Sequence, residues 1–377
     1  MIKLGLFFLL LPLTLNCQTL RLLNADSILN NSYGFWGDST GIYTCNFSYE
    51  NSKKIRLDDE PSSILLTKYS NSGIMLRTKV FSMAETIYEC VNVLPTGFGV
   101  VASFTLGSGN NFNKSAYFIC CDKNLQKMWD LKIPNFDLQT VTKSETDLIL
   151  QGLDVVTGNS QIFQLGFEGN IKQKSFLAFY GGWKQRLYKF NTFLIDNGVG
   201  FIGQKCDNAI CTYKAPYPLP DSKFELCYLD SEYKIKNEFI LCEDCNRPDK
   251  VIVSHKNVFY TQYVDSAGYK YYAINMLDSN GAFKHLILYA LETDESRSPV
   301  NNANLLVYGN YLYVIWPATS TLMISKLDFD LNLIENKKMQ GIENISSMRS
   351  ININDKLLFY YFDFLKKQKI LVQYYLD

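Results

Sequence analysis

The chain has 377 residues, of which 47% are hydrophobic, and its 37 Lys and Arg residues balance its 37 Asp and Glu residues. The hydrophobic content is sufficient for a large core. The balanced charge lacks the basic footprint of a nucleic-acid-binding protein, so we expect no nucleic-acid partner.

The N-terminal segment has the layout of a secretion signal. Lys3 precedes an apolar run over residues 4–15, and Asn16-Cys17-Gln18 follows it. The run is too short to span a bilayer as a mature helix. Cys17 resembles the lipid acceptor of bacterial lipoprotein signals, although Thr14 and Asn16 differ from the residues usual at those places.

Three alternatives therefore stay open for the signal segment, residues 1–17: lipid attachment at Cys17, plain secretion, or an uncleaved anchor. All three place residues 18–377, the predicted folded domain, outside the cytoplasm. The expected location is extracytoplasmic, either as a membrane-anchored lipoprotein or as a secreted protein.

A strand-turn-strand unit recurs along residues 18–377. Its turn begins at Asp or a substitute, which we assign to residues 69, 122, 166, 230, 278, 328 and 377, about fifty residues apart. Further apolar runs bring each repeat to four strands. This period is typical of a β-propeller. We predict an all-β fold with a single propeller of seven four-stranded blades, with six or eight blades as alternatives.

The two ends of the chain predict how the ring closes. The last repeat stops at Asp377 without its outgoing strand, whereas residues 19–23 form an apolar strand ahead of the first repeat. If this N-terminal strand joins the last blade, it covers an edge that would otherwise be exposed.

Two segments carry a resemblance to a known group. Leu277-Asp278-Ser279-Asn280-Gly281, and Asp122 with Trp129, match parts of the phrase Leu-Asp-x-x-Gly-x-x-x-Trp. The chain thus resembles bacterial extracytoplasmic β-propeller repeat proteins. The tryptophan is present once, and Tyr69 and Gly166 stand at the Asp place. The resemblance implies a fold and no activity.

The sequence offers little catalytic or metal-binding chemistry. His255 and His285 are its two histidines, and none of the common nucleophile, nucleotide or zinc-protease motifs occurs. Residues 328–332 begin like a calcium loop, but Leu333 and Met339 stand where glycine and a bidentate Glu are needed. We interpret this segment as a polar turn and expect no metal and no cofactor.

The cysteines allow several interpretations. Cys206 with Cys211, and Cys242 with Cys245, are spaced for two short-range disulfides; unpaired buried thiols and a zinc site are the alternatives. The adjacent pair at positions 120 and 121 lies in an apolar strand and is interpreted as small buried hydrophobic residues.

Propeller topology predicts the binding surface. Segments that join blades share a face with the segments between second and third strands, and that face is expected to carry the partner site. Trp and Arg are enriched at binding hot spots. The predicted site residues on this face are Trp183, Lys184, Arg186, Arg247, Arg297 and Trp316. In the alternative interpretation, both tryptophans fill spaces between blades.

Two functions are compatible with these features. The favoured one is a non-enzymatic binding propeller that recognises a protein or glycan partner and meets a membrane only through an N-terminal lipid. The alternative is a saccharide hydrolase or lyase with carboxylates at the channel mouth, for which Asp244, Asp294 and Glu295 are candidates.

Overall fold

A computed structural model gives the architecture. It describes residues 19–22, 34–49, 62–71, 74–107, 114–157, 160–176, 191–195, 198–206, 222–243, 248–254, 257–266, 269–278, 281–291, 303–318, 321–339, 345–353, 356–363, 365 and 368–375. The described strands pair into four-stranded antiparallel sheets, which confirms the all-β propeller class. In these ranges no helix has the length and apolar character needed to cross a bilayer.

The described strands form seven sheets, which we name blades 1 to 7, and the strands of each blade follow in order from the inner to the outer strand. Blade 1 contains β2 (Gly34–Asp38), β3 (Gly41–Tyr49), β4 (Ser62–Tyr69) and β5 (Met75–Ser82); blade 2 contains β6 (Thr86–Pro95), β7 (Gly99–Gly107), β8 (Lys114–Asp122) and β9 (Lys127–Pro134). Blade 3 contains β10 (Phe136–Lys143), β11 (Asp147–Asp154), β12 (Ser160–Gly166) and β13 (Ile171–Phe176); blade 4 contains β14 (Asn191–Ile195), β15 (Gly198–Cys206), β16 (Ser222–Leu229) and β17 (Ile235–Glu243). Blade 5 contains β18 (Pro248–Ser254), β19 (Asn257–Ser266), β20 (Tyr269–Leu277) and β21 (Phe283–Leu291); blade 6 contains β22 (Asn304–Tyr308), β23 (Tyr311–Ala318), β24 (Thr321–Leu327) and β25 (Leu333–Met339). Blade 7 contains β26 (Ile345–Ile353), β27 (Lys356–Asp363), β28 (Gln368–Tyr375) and β1 (Thr19–Leu22).

The blades form a closed ring. Each inner strand contacts the inner strand of the next blade, in the order β2, β6, β10, β14, β18, β22, β26, and β26 contacts β2 again. The N-terminal strand β1 is the outer strand of blade 7 and pairs antiparallel with β28, as the chain ends predicted. Sequence-distant strands therefore complete the last blade.

The ring has two unlike faces. Because neighbouring strands in a blade are antiparallel, the connections from first to second strand and from third to fourth strand lie at one face, which we call the turn face. The connections from second to third strand and from one blade to the next lie at the other, which we call the loop face. The connections between blades at residues 83–85 and at residue 135 are too short to cross a blade. Each therefore joins two strand ends that lie at the same face of the ring.

The recurring turn is built by the Asp side chain. Oδ1 of Asp122 accepts hydrogen bonds from the backbone N–H groups of Asn124 and Gln126, both at 2.8 Å. Asp230 and Asp328 bond to the second and fourth residues after them in the same way, and Asp278 bonds to the fourth. The carboxylate thus satisfies backbone donors that the tight turn leaves free.

The third residue after the Asp adopts a left-handed conformation. Its φ is 85° at Gly281 and 88° at Gly169, where glycine fits without strain, but 60° at Leu125 and 63° at Leu331. Both leucine side chains are buried in the core. Burial of their side chains compensates for the backbone strain.

One assignment of the repeat was wrong. In blade 1 the backbone N–H of Ser70, rather than Tyr69, donates to the carbonyl of Ile74, as the N–H of Asp122 does to Gln126. The Ser70 hydroxyl also accepts a hydrogen bond from the Ile74 N–H at 3.0 Å. Serine therefore replaces the Asp, with its hydroxyl in the role of the carboxylate. Gly166 does occupy the Asp position, because its N–H bonds to the carbonyl of Asn170.

The hydrophobic core lies between blades. Alternate residues of one strand enter different clusters: Cys121 packs with blade 1 side chains and Cys120 with blade 3 side chains. Both are fully buried, which confirms their interpretation as small hydrophobic residues. Burial raises the pKa of each thiol to about 12, so neither is reactive at neutral pH.

An aromatic residue of one blade covers a glycine in the next blade's turn. The Trp129 indole on β9 lies over Gly169 of blade 3, where an added Cβ would come 2.8 Å from Trp129 Cδ2. Its Nε1 donates to the Phe167 carbonyl at 2.8 Å. Phe239 of blade 4 covers Gly281 of blade 5 in the same manner. The Trp and Gly of the repeated phrase are thus partners across a blade boundary.

Candidate functional site

The two faces differ in the lengths of their connections. On the turn face, two to five residues join the strands, as at residues 39–40, 123–126 and 328–332. On the loop face, residues 50–61, 177–190, 207–221 and 292–303 form much longer connections. Long and unlike connections on a rigid scaffold are where binding residues concentrate. The loop face is therefore the candidate functional site.

Five of the predicted site residues fall in connections at the loop face, four of them in the long ones. Trp183, Lys184 and Arg186 belong to residues 177–190, between β13 and β14. Arg247 belongs to residues 244–247, between β17 and β18, and Arg297 to residues 292–303, between β21 and β22. All five residues lie outside the described residues. The described strand ends on either side of them belong to the loop face.

The sixth predicted residue, Trp316, lies near the loop-face end of β23 and is only 1% exposed. Its Nε1 donates to the Ser325 hydroxyl at 2.9 Å. The indole packs with Phe259 of blade 5 and with Val314 of its own blade. This position matches the alternative interpretation, in which Trp316 fills the space between blades, and a buried indole cannot contact a partner at the surface.

Two acidic residues at the loop face of blade 3 are held by separate polar contacts. Lys114 at the start of β8 forms an ion pair with Asp137 of β10, at 2.7 Å, with both side chains mostly buried. Asp154 accepts hydrogen bonds from the N–H groups of Val156 and Thr157 and from the Gln161 amide. Burial opposes ionisation of Asp154, but these bonds outweigh it and lower its pKa. Asp137 and Asp154 therefore stabilise the fold and are not free to bind a ligand.

An exposed aromatic and basic edge borders residues 177–190. Phe176, the last residue of β13, is 57% exposed. Lys174 Nζ lies 5.2 Å from the centroid of the Phe176 ring and 5.1 Å from that of Phe163, which is within cation–π range. Sequence reasoning missed this edge. The alternation of residues along β13 toward Phe176 is the signal that could have indicated it.

Two of the four cysteines predicted to form short-range disulfides lie at the loop-face end of blade 4. Cys206 ends β15 and pairs in register with Ser222, whereas Cys242 of β17 pairs with Phe224. Because β15 and β17 flank β16, their backbones lie about 10 Å apart, beyond the usual Cα separation of a disulfide. Cys17, Cys211 and Cys245 lie outside the described residues, and the two short-range pairs stay predictions.

The described part of the chain offers no candidate metal centre. No group of three or more His, Cys, Asp or Glu residues there is arranged to hold a metal ion. His285 is exposed on β21 and stacks on Phe283, with ring centroids 6.1 Å apart. His255, Asp244, Asp294 and Glu295 lie outside the described residues.

Comparison with known proteins supports the fold. No protein-family profile matches the chain, and no curated protein matches it in sequence. The chain is similar in structure to the polysaccharide lyase Uly1, with TM-score 0.55, 12% identity, and coverage of 94% of this chain and 91% of that chain. It is also similar to the β-propeller domain of the Trilobed protease from Pyrococcus furiosus, whose structure reveals an open velcro topology. That likeness has a TM-score of 0.50 and 8% identity, and it covers 92% of this chain and 94% of that chain. The apocarotenoid oxygenase of Synechocystis aligns with a TM-score of 0.48 and 8% identity, over 82% of this chain and 71% of that chain. The first two likenesses place the chain in the class of β-propellers.

Proposed function

We propose that the chain is an extracytoplasmic recognition propeller that binds a polysaccharide through its loop face. The main support for this proposal is the difference in connection length between the two faces. Connections on the turn face have two to five residues, whereas those on the loop face have up to fifteen. A closed ring holds the ends of the long connections in fixed positions. Such preorganisation lowers the entropic cost of binding.

The composition of residues 177–190 indicates the ligand class. The segment contains five aromatic and three basic residues and no acidic residue: Phe179, Tyr180, Trp183, Tyr188 and Phe190, with Lys184, Arg186 and Lys189. Aromatic rings supply flat apolar surface, and Arg and Lys bind carboxylate or sulfate groups through charge-assisted hydrogen bonds. Lys174 and Phe176 extend the same chemistry onto the described edge of β13. An acidic polysaccharide fits this combination better than an uncharged one.

A second candidate function is cleavage of such a polysaccharide. One observation favours it: the structural likeness to a polysaccharide lyase covers nearly the whole chain. Asp244, Asp294 and Glu295 of the loop-face connections are the acids then expected to take part. Cleavage by elimination leaves an unsaturated sugar end, which can be measured directly in the binding samples. A propeller that binds without releasing such ends is a recognition protein.

Substitutions within residues 177–190 test the binding proposal. In solution, Trp183→Ala should lower affinity for an acidic polysaccharide about 30-fold, since large aromatic hot spots contribute about 2 kcal/mol. Lys184→Ala and Arg186→Ala should each lower it about tenfold and reduce its salt dependence. The matched controls are Phe283→Ala and Lys234→Ala on the turn face.

Equal affinities for the loop-face variants and their turn-face controls would overturn the proposal. Binding of proteins but not polysaccharides from the native envelope would replace the glycan by a protein partner. Localisation is tested separately by feeding cells a labelled lipid precursor. We propose that Cys17 carries the label, so Cys17→Ala should lose it. Label retained in that variant would exclude a lipid at this cysteine.

A further inference from the structure

The turn face carries exposed apolar side chains at one repeated position. The first residue of the outer strand, which pairs with the last apolar residue of the third strand, is Met75 in blade 1, Ile171 in blade 3, Phe283 in blade 5 and Leu333 in blade 6. Their exposed fractions are 64%, 44%, 48% and 51%. In blade 2, Met128 follows the equivalent Lys127 and is 50% exposed. Together they form what we call the apolar rim.

The apolar rim is not explained by the packing of the ring. Three rim residues, Ile171, Phe283 and Leu333, pair with buried core residues of the third strand, yet remain exposed themselves. Exposed edge strands of soluble proteins usually carry charged residues that prevent association. Exposed apolar side chains at the same register position in four blades instead mark this end of the ring as a candidate interaction surface.

The chain enters the fold at this same face. Strand β1 begins at Thr19, which pairs with Gln373, two residues before the turn-face end of β28. The apolar run of the signal segment ends at residue 15. Thr19 follows residue 15 by four residues, so the Cα atoms of these two residues can lie at most about 14 Å apart. Any lipid on Cys17, or any membrane-held signal run, would therefore hold the turn face close to the bilayer.

Charges on the turn face are mixed. Lys172 and Lys284 adjoin rim residues and form ion pairs with Asp147 and Asp330. Glu168 and Glu232 are exposed in the turns. Lysine stems can lie along an apolar surface while their ammonium groups remain in water. The contact we infer therefore depends on burial of apolar side chains and needs no net positive charge.

We propose that the apolar rim docks on the membrane surface beside the N-terminal tether. The ring then lies with its turn face on the bilayer and its loop face directed away, where a large polysaccharide has access. The choice of a membrane as the partner rests on the proposed tether, whereas the rim should also bind vesicles without it, and neither depends on glycan binding. Membrane-interface binding of this kind scales with the apolar area that is buried.

Hydroxyl-radical footprinting of the full chain, anchored in vesicles of phosphatidylethanolamine and phosphatidylglycerol, tests the orientation. The readouts are oxidation of Met75, Met128 and Phe283 on the rim and of Phe176 on the loop face. The reference is residues 19–377 free in solution, which contain every described strand. Oxidation of the rim should fall about threefold or more in vesicles, with Phe176 unchanged.

Unchanged rim oxidation, or protection of Phe176 in place of the rim, would overturn the proposal. Rim protection that grows with protein concentration in the absence of vesicles would also overturn it, because a second copy would then be the partner. Glycan affinity, measured in solution on residues 19–377, does not depend on any of these outcomes.

A substitution series provides a second measurement. Met75→Ser combined with Phe283→Ser and Leu333→Ser should weaken flotation of residues 19–377 with the same vesicles about tenfold. The matched control, Val156→Ser with Phe176→Ser, removes exposed apolar side chains from the loop face and should leave flotation unchanged. Equal loss in both variants would show nonspecific adhesion and would contradict the proposal. If the rim variant does not fold, footprinting of the wild-type chain decides alone.

Discussion

The contact between Trp129 and Gly169 predicts a strong coupling between two substitutions. Gly169→Ala places a Cβ 2.8 Å from the Trp129 indole, at a residue with φ of 88°. The left-handed conformation should cost about 1 kcal/mol in any background. The steric overlap should add about 2 kcal/mol while the indole is present. The single substitution should therefore cost about 3 kcal/mol of unfolding free energy.

Trp129→Ala removes the opposing ring and the hydrogen bond to the Phe167 carbonyl. For a half-buried indole we expect a loss of about 2 kcal/mol, including about 1 kcal/mol for the hydrogen bond. In the Trp129→Ala background, Gly169→Ala should cost only the roughly 1 kcal/mol that comes from the left-handed backbone conformation. The double variant should thus be more stable than the sum of the two losses predicts, by about 2 kcal/mol.

Urea unfolding followed by circular dichroism measures all four proteins of this cycle. Gly281→Ala is the matched control, because it faces Phe239 in another pair of blades. Its cost should add to that of Trp129→Ala without coupling. If Gly169→Ala costs the same whether or not Trp129 is present, the contact across the blade boundary is not what requires glycine there.

Three further predictions concern closure, the cysteines and pH. Deleting residues 19–22 leaves the outer edge of β28 unpaired, so the melting temperature should fall; an unchanged value would contradict closure by β1. Peptide mapping under non-reducing conditions should find no direct bond between Cys206 and Cys242, since β16 separates their strands; finding that bond would contradict the register of blade 4. Burial opposes ionisation of Asp147, but hydrogen bonds from Lys172, Gln164 and Thr146 outweigh it and lower its pKa. Its stabilising effect is therefore complete above the unfolded pKa of about 4 and is lost as pH falls through the lower folded pKa. The stability difference between wild type and Asp147→Asn should shrink in that window, and a pH-independent difference would refute the assignment.

Local backbone features were readable from the chain because contiguous residues build them. Asp122 and Asp328 each satisfy N–H groups two and four residues away, so the same short phrase produces the same turn wherever it recurs. Apolar strands at a regular spacing between such turns predict four-stranded blades. The misassignment at Tyr69 arose because Ser70 performs the same role with a hydroxyl, which a search for carboxylates passes over.

The candidate site was predictable only as a region. The order of strands fixes which connections share a face, so the placement of residues 177–190 and 244–247 at one end of the ring follows from topology. Topology does not predict which individual side chains are buried. Trp183 and Trp316 were equally strong candidates in the sequence, yet the tertiary structure buries Trp316 in a core cluster with Phe259 and Val314, where it contributes to packing.

The sequence by itself determined the all-β class and the repeating turn, because these depend on bonds between near neighbours. It also indicated the strand that closes the ring, because the order of apolar runs leaves the last repeat without an outer strand and places a spare strand at the start. Only the tertiary structure decided which side chains meet across blade boundaries, such as Trp129 with Gly169. It also decided that β1 begins at the face where Met75, Phe283 and Leu333 are exposed. Those relations join residues from different repeats, and closure of the ring is what brings them to one place.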